Sequence, residues 1–318
     1  MIEVVRSCPE LCRFCLASYL NLPFRNSSLK EGLIPAVEKG FNVTNRIGLL
    51  GASITQHPEF DELLNWLKDD RFDGMRLSLS SVRASTVNSK MTNLLYRRNS
   101  KSITIAVESG SEKLRKVVNK KLTEEEIFTA ARYAKEGGLS GLKLYSMVGL
   151  PTENNDDIQA TANLLLNIKR KNPGLRLKLG VSTFVPKAHT PFQWNGVNDQ
   201  AKKRLKILAK SLKPNGIDFR PESYNWSLIQ ALISRSDRRL ANVIASINIS
   251  QNTFGEWKRV YKEIHESTKN STSTKRLPHW DDIIHQEWDA QRTLPWMHLE
   301  SPLTNQQLIR HRDKSINQ

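Results

Sequence analysis

Cysteine is almost missing from this chain. Its 318 residues hold three, at positions 8, 12 and 15, and none before or after. An odd number excludes a fully paired disulfide framework. No charged start followed by an apolar core opens the chain, so no export signal is expected. No apolar run approaches the roughly 18 residues that a membrane span requires, so no membrane partner is expected. No internal repeat is found, which excludes a solenoid. Acidic residues are the scarcer charge: 32 Asp and Glu face 48 Lys and Arg, a net charge of +16. That excess is compatible with an anionic partner. No recognised nucleic-acid module accompanies it, so nucleic acid is a permitted but not a favoured partner.

What is present is concentrated. Cys8-Pro-Glu-Leu-Cys12-Arg-Phe-Cys15 sets three thiols on one short loop. Thiolates are the usual ligands of iron–sulfur clusters, and three of them leave one iron of a four-iron cluster open to a small molecule. A structural zinc site would need a fourth ligand at close spacing, and the nearest histidine is His57. The cluster is the favoured alternative; zinc or a redox pair is the weaker one. An exposed, oxygen-sensitive cluster fits a reducing cytoplasm.

Six short apolar runs punctuate the chain: Ile2–Arg6, Arg46–Leu50, Met75–Leu79, Ser102–Val107, Gly141–Val148 and Leu177–Thr183. Helical stretches lie between them. Phe60–Lys68 has apolar residues on one face. Thr123–Lys135 opens with a Thr123/Glu126 capping box, and Asp156–Lys171 stops at Pro173-Gly174. Such alternation predicts βαβ units and a parallel sheet. Periodicity alone allows either a barrel or an open doubly wound sheet.

The loop Cys8-x3-Cys12-x-Phe14-Cys15 resembles that of the radical S-adenosylmethionine (radical SAM) enzymes. Later segments agree. Val107-Glu108-Ser109-Gly110 resembles the family's strand-end segment, and Gly149-Leu150-Pro151-Thr152-Glu153 its turn near the adenine. The block Val181–Trp194 is similar to a subgroup of cobalamin-binding-type radical SAM proteins of unassigned substrate. So are Arg115–Lys120, Lys143-Leu144-Tyr145, Ser236–Leu240 and Leu294-Pro295-Trp296. The resemblance runs from about residue 1 to about residue 312.

The resemblance implies an α/β fold, a partial TIM-type (β/α)6 barrel of parallel strands with a C-terminal helical extension. The expected division is 1–222 for the barrel, 223–300 for the helical extension and 301–318 for a flexible tail. It also implies a [4Fe–4S] cluster on Cys8, Cys12 and Cys15, with S-adenosylmethionine on the open iron. Phe14 and Gly149 would lie by the adenine, and Gly51, Ala52 and Ser53 by the amino group. Glu108 and Ser109 would bond the ribose. Apart from the resemblance, Lys143 lies earlier on its strand and, pointing inward, would pair with the substrate or with the methionine carboxylate. Gly51-Ala52-Ser53 departs from the family's usual Gly-Gly-Glu, so only its backbone contacts carry over. No catalytic acid or base is named.

The implied function is reductive cleavage of S-adenosylmethionine to a 5′-deoxyadenosyl radical, fed by a flavodoxin- or ferredoxin-type electron donor. One alternative is a methylthiotransferase-like enzyme of RNA or protein modification, which would usually carry a second cysteine trio. Another is a non-catalytic cluster-binding subunit of a split enzyme. Because Cys8 follows Met1 so closely, a core without the subgroup's N-terminal cobalamin domain is expected. Cobalamin would then come only in trans, from separately encoded domains.

Overall fold

A computed structural model describes the chain except residues 81, 249, 251, 273–275, 317 and 318. The predicted runs are strands. In chain order the strands of the molecule are β1 (Ile2–Glu3), β2 (Val5–Arg6), β3 (Arg25–Asn26), β4 (Arg46–Leu50), β5 (Arg76–Leu79), β6 (Ser102–Glu108), β7 (Gly141–Val148), β8 (Arg176–Thr183) and β9 (Asp218–Pro221). β1, β4 and β5 pair in parallel, as do β6, β7, β8 and β9. A parallel bridge from Val82 to Ile105 joins the two sets. The result is one curved sheet in chain order, the partial barrel. The first run divides: β1 enters the sheet, and β2 turns aside to pair antiparallel with β3. β3 and β9 are strands beyond the six expected runs.

The helices between the strands are α1 (Leu16–Leu20), α2 (Ile34–Phe41), α3 (Phe60–Trp66), α4 (Ser89–Arg97), α5 (Glu112–Val117), α6 (Glu124–Glu136), α7 (Asn155–Lys171) and α8 (Ala201–Leu212). Their starts follow capping chemistry. Thr123 and Glu126 cap α6 reciprocally, as predicted, and Asn154 with Asp157 does the same for α7. Ser111 caps α5.

Successive strand residues point to opposite faces. Leu142, Leu144 and Val148 of β7, and Leu177, Leu179 and Val181 of β8, are buried with Ile127, Ile158, Leu165 and Leu208 of the helices. Each such side chain contributes about 1.5–3 kcal/mol by leaving water. The helices therefore cover one face of the sheet. The opposite, inner face keeps exposed side chains, among them Leu50 at 46% and Tyr145 at 51%.

Beyond β9 come α9 (Tyr224–Arg235), α10 (Ala241–Ser246), α11 (Phe254–Ser267) and α12 (Trp280–Ile284). Their apolar faces form a second core with Val185 and Val197. The expected flexible tail needs correction. Residues 305–316 form a helix, α13 (Asn305–Ile316). Its Leu308 is buried with Tyr19, Trp194, Trp288, Leu294 and Trp296. Residues 317 and 318 of that tail lie outside the described residues.

Candidate active site at the strand ends

Five backbone segments leave the sheet at one end: the cysteine loop after β2, Gly51–Ser53 after β4, Glu108–Ser109 at the end of β6, Gly149 after β7 and Phe184 after β8. In parallel sheets this carboxyl end gathers the functional loops.

The cysteine loop is held from behind. Arg13, 1% exposed, donates from Nη1 to the Lys116 and Val117 carbonyls, each at 2.8 Å, and from Nε to the His311 carbonyl at 2.8 Å. Lys116 and Val117 end α5; the Lys116 carbonyl also accepts from the Asn119 amide at 2.9 Å, so Arg13 adds a second donor there and supplies one to Val117 at the helix terminus. Asn119 Nδ2 donates to the Glu10 and Leu11 carbonyls at 2.9 Å each. The Tyr19 hydroxyl donates to the Leu11 carbonyl at 2.8 Å and lies 2.6 Å from His311 Nδ1. Ser7 and Leu11 take positive φ, 69° and 53°, in the sparsely populated left-handed region.

All three cysteines are free thiols, Cys12 buried and its neighbours half-buried. Burial pushes the Cys12 thiol up to about 12; Lys120 opposes this, while Glu108, Cys15 and Cys8 add to it. Cys8 and Cys15 thus lie close enough to Cys12 to be felt electrostatically. A metal ligand must be a thiolate, so loading this loop releases protons. Among the described residues, no three His, Cys, Asp or Glu side chains converge on a point that one metal ion could occupy. A cubane asks for no such point, because each thiolate takes a different iron. The donor set fits the cluster.

Glu108 ends β6 at φ 64°. Lys120 Nζ donates to its Oε1 at 3.0 Å, with both side chains nearly buried. Burial lowers the Lys120 pKa, but attraction to Glu108 and Cys12 outweighs it and the net shift is upward. One Glu108 oxygen is thereby committed to Lys120, whose charge also acts on the Cys12 thiol. Ser109 is 2% exposed, and its hydroxyl accepts from the Ser111 amide at 3.1 Å.

Gly51 is required by space. A Cβ there would lie 2.8 Å from the Val5 carbonyl oxygen and 2.7 Å from Val5 Cγ2. The turn therefore packs on the strand that launches the cysteine loop. Ala52 is exposed. Ser53 is buried, and its hydroxyl donates to Gln56, whose amide donates to Glu10 of the cysteine loop at 2.7 Å. Gly149 takes φ +81° and its amide donates to Glu153 Oε2 at 2.6 Å. Arg204 donates to the same oxygen at 2.8 Å. Phe14 packs against the buried cluster of Leu114, Val117, Val118, Leu150, Phe184 and Phe192. It joins the cysteine loop to the ends of β7 and β8.

Lys143 does not belong with this group. It is the third residue of β7, level with Thr104 and Lys178 and well below the strand's end at Val148. Alternation aims it at the inner face, but low on the sheet. The sequence reading also missed Arg13, Tyr19, Asn119, Lys120 and His311. The segment 115–120 carried a resemblance without a role, and nothing local to α13 announces its contact with a loop 298 positions away.

A model of the Radical SAM superfamily matches residues 2–165. An uncharacterized protein of Methanocaldococcus jannaschii is 35% identical over 246 residues, 77% of this chain and 53% of that protein. A tRNA-2-methylthio-N(6)-dimethylallyladenosine synthase of Alkaliphilus oremlandii is 23% identical over 175 residues, 52% of this chain and 37% of that one. The chain thus spans about half the length, or less, of these curated relatives. Among solved structures, the radical S-adenosylmethionine methyltransferase TsrM from Kitasatospora setae, with cobalamin and a [4Fe–4S] cluster bound, aligns with TM-score 0.51. The match covers 85% of this chain and 61% of that one at 12% identity, a likeness of fold.

Proposed function

Because this chain belongs to the radical SAM superfamily, we propose that it carries a [4Fe–4S] cluster on Cys8, Cys12 and Cys15 and binds S-adenosylmethionine on the iron they leave open. When bound, this pair supplies a one-electron reductive cleavage that yields methionine and a 5′-deoxyadenosyl radical able to abstract hydrogen. One observation carries the reading: three free thiols on a single braced loop at the carboxyl ends of a parallel sheet.

The chain's own residues have definable tasks. Arg13, Asn119 and Tyr19 fix the loop backbone, so the thiols are presented without a large ordering cost. Lys120 offsets negative charge between Cys12 and Glu108. The free oxygen of Glu108 accepts from a ribose hydroxyl, a charge-assisted bond suited to a diol, beside the Ser109 backbone. Backbone at Gly51, Ala52 and Ser53 meets the amino group; the Ser53 hydroxyl is already engaged. Phe14 and Gly149 flank the adenine. Residues 1–222 form the catalytic core, and 223–300 cap it. An electron donor of the flavodoxin or ferredoxin kind reduces the protein in a reducing cytoplasm. Among the described residues, no helix is long and apolar enough to cross a membrane.

The test is anaerobic reconstitution. About four irons per chain are expected, with release of 5′-deoxyadenosine on adding dithionite and S-adenosylmethionine. Cys12→Ala should lose both. A loaded cluster that never cleaves S-adenosylmethionine would favour a non-catalytic subunit instead. A methylthiotransferase-like reading draws on the synthase relatives and the basic charge. It has against it the lack of a second cysteine trio in these 318 residues.

A further inference from the structure

The inner face of the half-barrel is not filled as a barrel interior usually is. Register across the last strands lays its residues in level rows. Ser102, Gly141 and Arg176 form the lowest row. Thr104, Lys143, Lys178 and Asp218 form the next. Ala106, Tyr145, Gly180 and Arg220 form the third. The helix-facing partners of these residues are buried leucines and valines, so the rows face the opposite way, into the concavity.

These rows are cationic. Lys143, Arg176, Lys178 and Arg220 stand against one carboxylate, Asp218. Lys178 pairs with it at 3.1 Å and Arg220 at 2.6 Å. Arg176 is held by a neutral group, the Ser140 hydroxyl, at 2.9 Å. Lys143 is exposed and makes no ion pair among the described residues. A cavity of about 290 Å³ opens here, with Ser102, Lys143, Arg176, Lys178 and Asp218 in its walls. One row higher, the Tyr145 ring lies on Gly180. A Cβ at Gly180 would meet the ring at 2.7 Å, so only glycine lets the ring lie flat there. Tyr145 nevertheless stays 51% exposed, an aromatic ring backed on one side and open to solvent. Large aromatic rings are usually mostly covered.

We propose that this inner face is the substrate channel. The substrate carries an anionic end, a phosphate or a carboxylate, held by Lys143 with Lys178 and Arg176, and a planar body lying on Tyr145. This deepens the reading above and rests on it for the reacting end. From the Lys143 row to Met147 at the mouth is four residues, about 13 Å. The anion therefore sits about that far from the carbon that loses hydrogen. A guanidinium held only by neutral Ser140 and an ammonium with no ion pair among the described residues, on one wall, suit an oxyanion, whose lone pairs accept several charge-assisted bonds. Spreading the cations over two neighbouring strands suits one terminal group better than a long polyanion.

Pyridoxal 5′-phosphate supplies a probe of this chemistry: a planar ring, a phosphate and an aldehyde that condenses with lysine. The full chain, without iron or S-adenosylmethionine, is labelled briefly, reduced with borohydride and mapped by peptide mass. Lys143 or Lys178 should label about tenfold faster than exposed Lys203, the worth of one hydrogen bond to a charged group. Inorganic pyrophosphate protecting better than citrate assigns a phosphate; the reverse assigns a carboxylate. Tyr145→Ala should remove most of the preference while Tyr145→Phe keeps it, with circular dichroism checking the fold of both. Labelling of Lys143 and Lys178 no faster than Lys203, or protection by neither anion, overturns the proposal. Release of 5′-deoxyadenosine is measured separately, so a failure of the radical reading and a failure of this one appear in different assays.

Discussion

At the scale of single residues, the site is braced by groups whose roles are steric or capping. Gly51 is the clearest case. An alanine methyl would be driven against the Val5 carbonyl oxygen at 2.8 Å, a backbone atom with no rotamer to escape into. Gly51→Ala should cost about 1–3 kcal/mol, the usual range for forced overpacking, read as a lower urea midpoint with unchanged slope. Arg13 acts differently. Arg13→Met keeps apolar bulk but removes three hydrogen bonds, to the part-buried His311 and Lys116 carbonyls and the buried Val117 carbonyl. The expected loss is about 3 kcal/mol, since hydrogen bonds to charged groups count for more than neutral ones. Iron content after reconstitution should fall with it. A variant that unfolds like the parent and loads four irons would show that the brace is dispensable. The cysteines were legible in sequence because their spacing alone implies a shared centre. Arg13 was not, because its three partners lie on α5 and α13, which no local pattern connects.

At the scale of elements, legibility followed apolar content. The six runs rich in Ile, Leu and Val became strands with bounds within a residue or two. β9, Asp-Phe-Arg-Pro, buries only Phe219, so periodicity had one residue to work with and missed it. The helix α13 was missed for the same reason. Its sequence Asn-Gln-Gln-Leu-Ile-Arg-His-Arg-Asp-Lys-Ser-Ile is mostly polar, and it docks largely through hydrogen bonds to Arg13 and Tyr19. That mode of docking makes it sensitive to acid. Burial pushes the His311 imidazole down to about 4, helped by Arg13, Lys314 and Lys121, and Tyr19 supplies its hydrogen-bond partner. The folded value lies below the usual 6.5, so the undocked helix binds the proton better. The docked state is favoured above pH 6.5 and loses that advantage as pH falls toward 4. Amide hydrogen exchange in α13 should accelerate over this window ahead of β7, and His311→Gln should flatten the dependence. Exchange that stays equal in α13 and β7 from pH 7 to 4 would contradict it.

At the scale of the whole molecule, the boundary drawn near residue 222 separates composition better than it separates contacts. The second core recruits Val185 and Val197 from the barrel's own loops. The Val197 amide donates to the Ile284 carbonyl at 2.8 Å, and the Trp288 amide to the Trp194 carbonyl at 2.7 Å. Trp194 lies in the barrel segment yet is fully buried against Trp288, Trp296 and α13. Cutting after residue 222 would therefore strip the covering from Trp194, Val185 and the loop that presents Phe184. Buried apolar side chains laid open in this way become an adhesive surface. Two independently stable domains would unfold in two steps. These shared contacts instead predict one step: tryptophan fluorescence, which samples mainly the extension, and far-UV circular dichroism, which samples both, should trace coincident urea transitions. A fragment ending at 222 should be recovered mainly as aggregate. If the two probes separate, or if the fragment stays monomeric with native-like dichroism, then the extension is an appendage. The site would then owe its bracing to the barrel alone, and the contact of α13 with the cysteine loop would be incidental to loading the thiols.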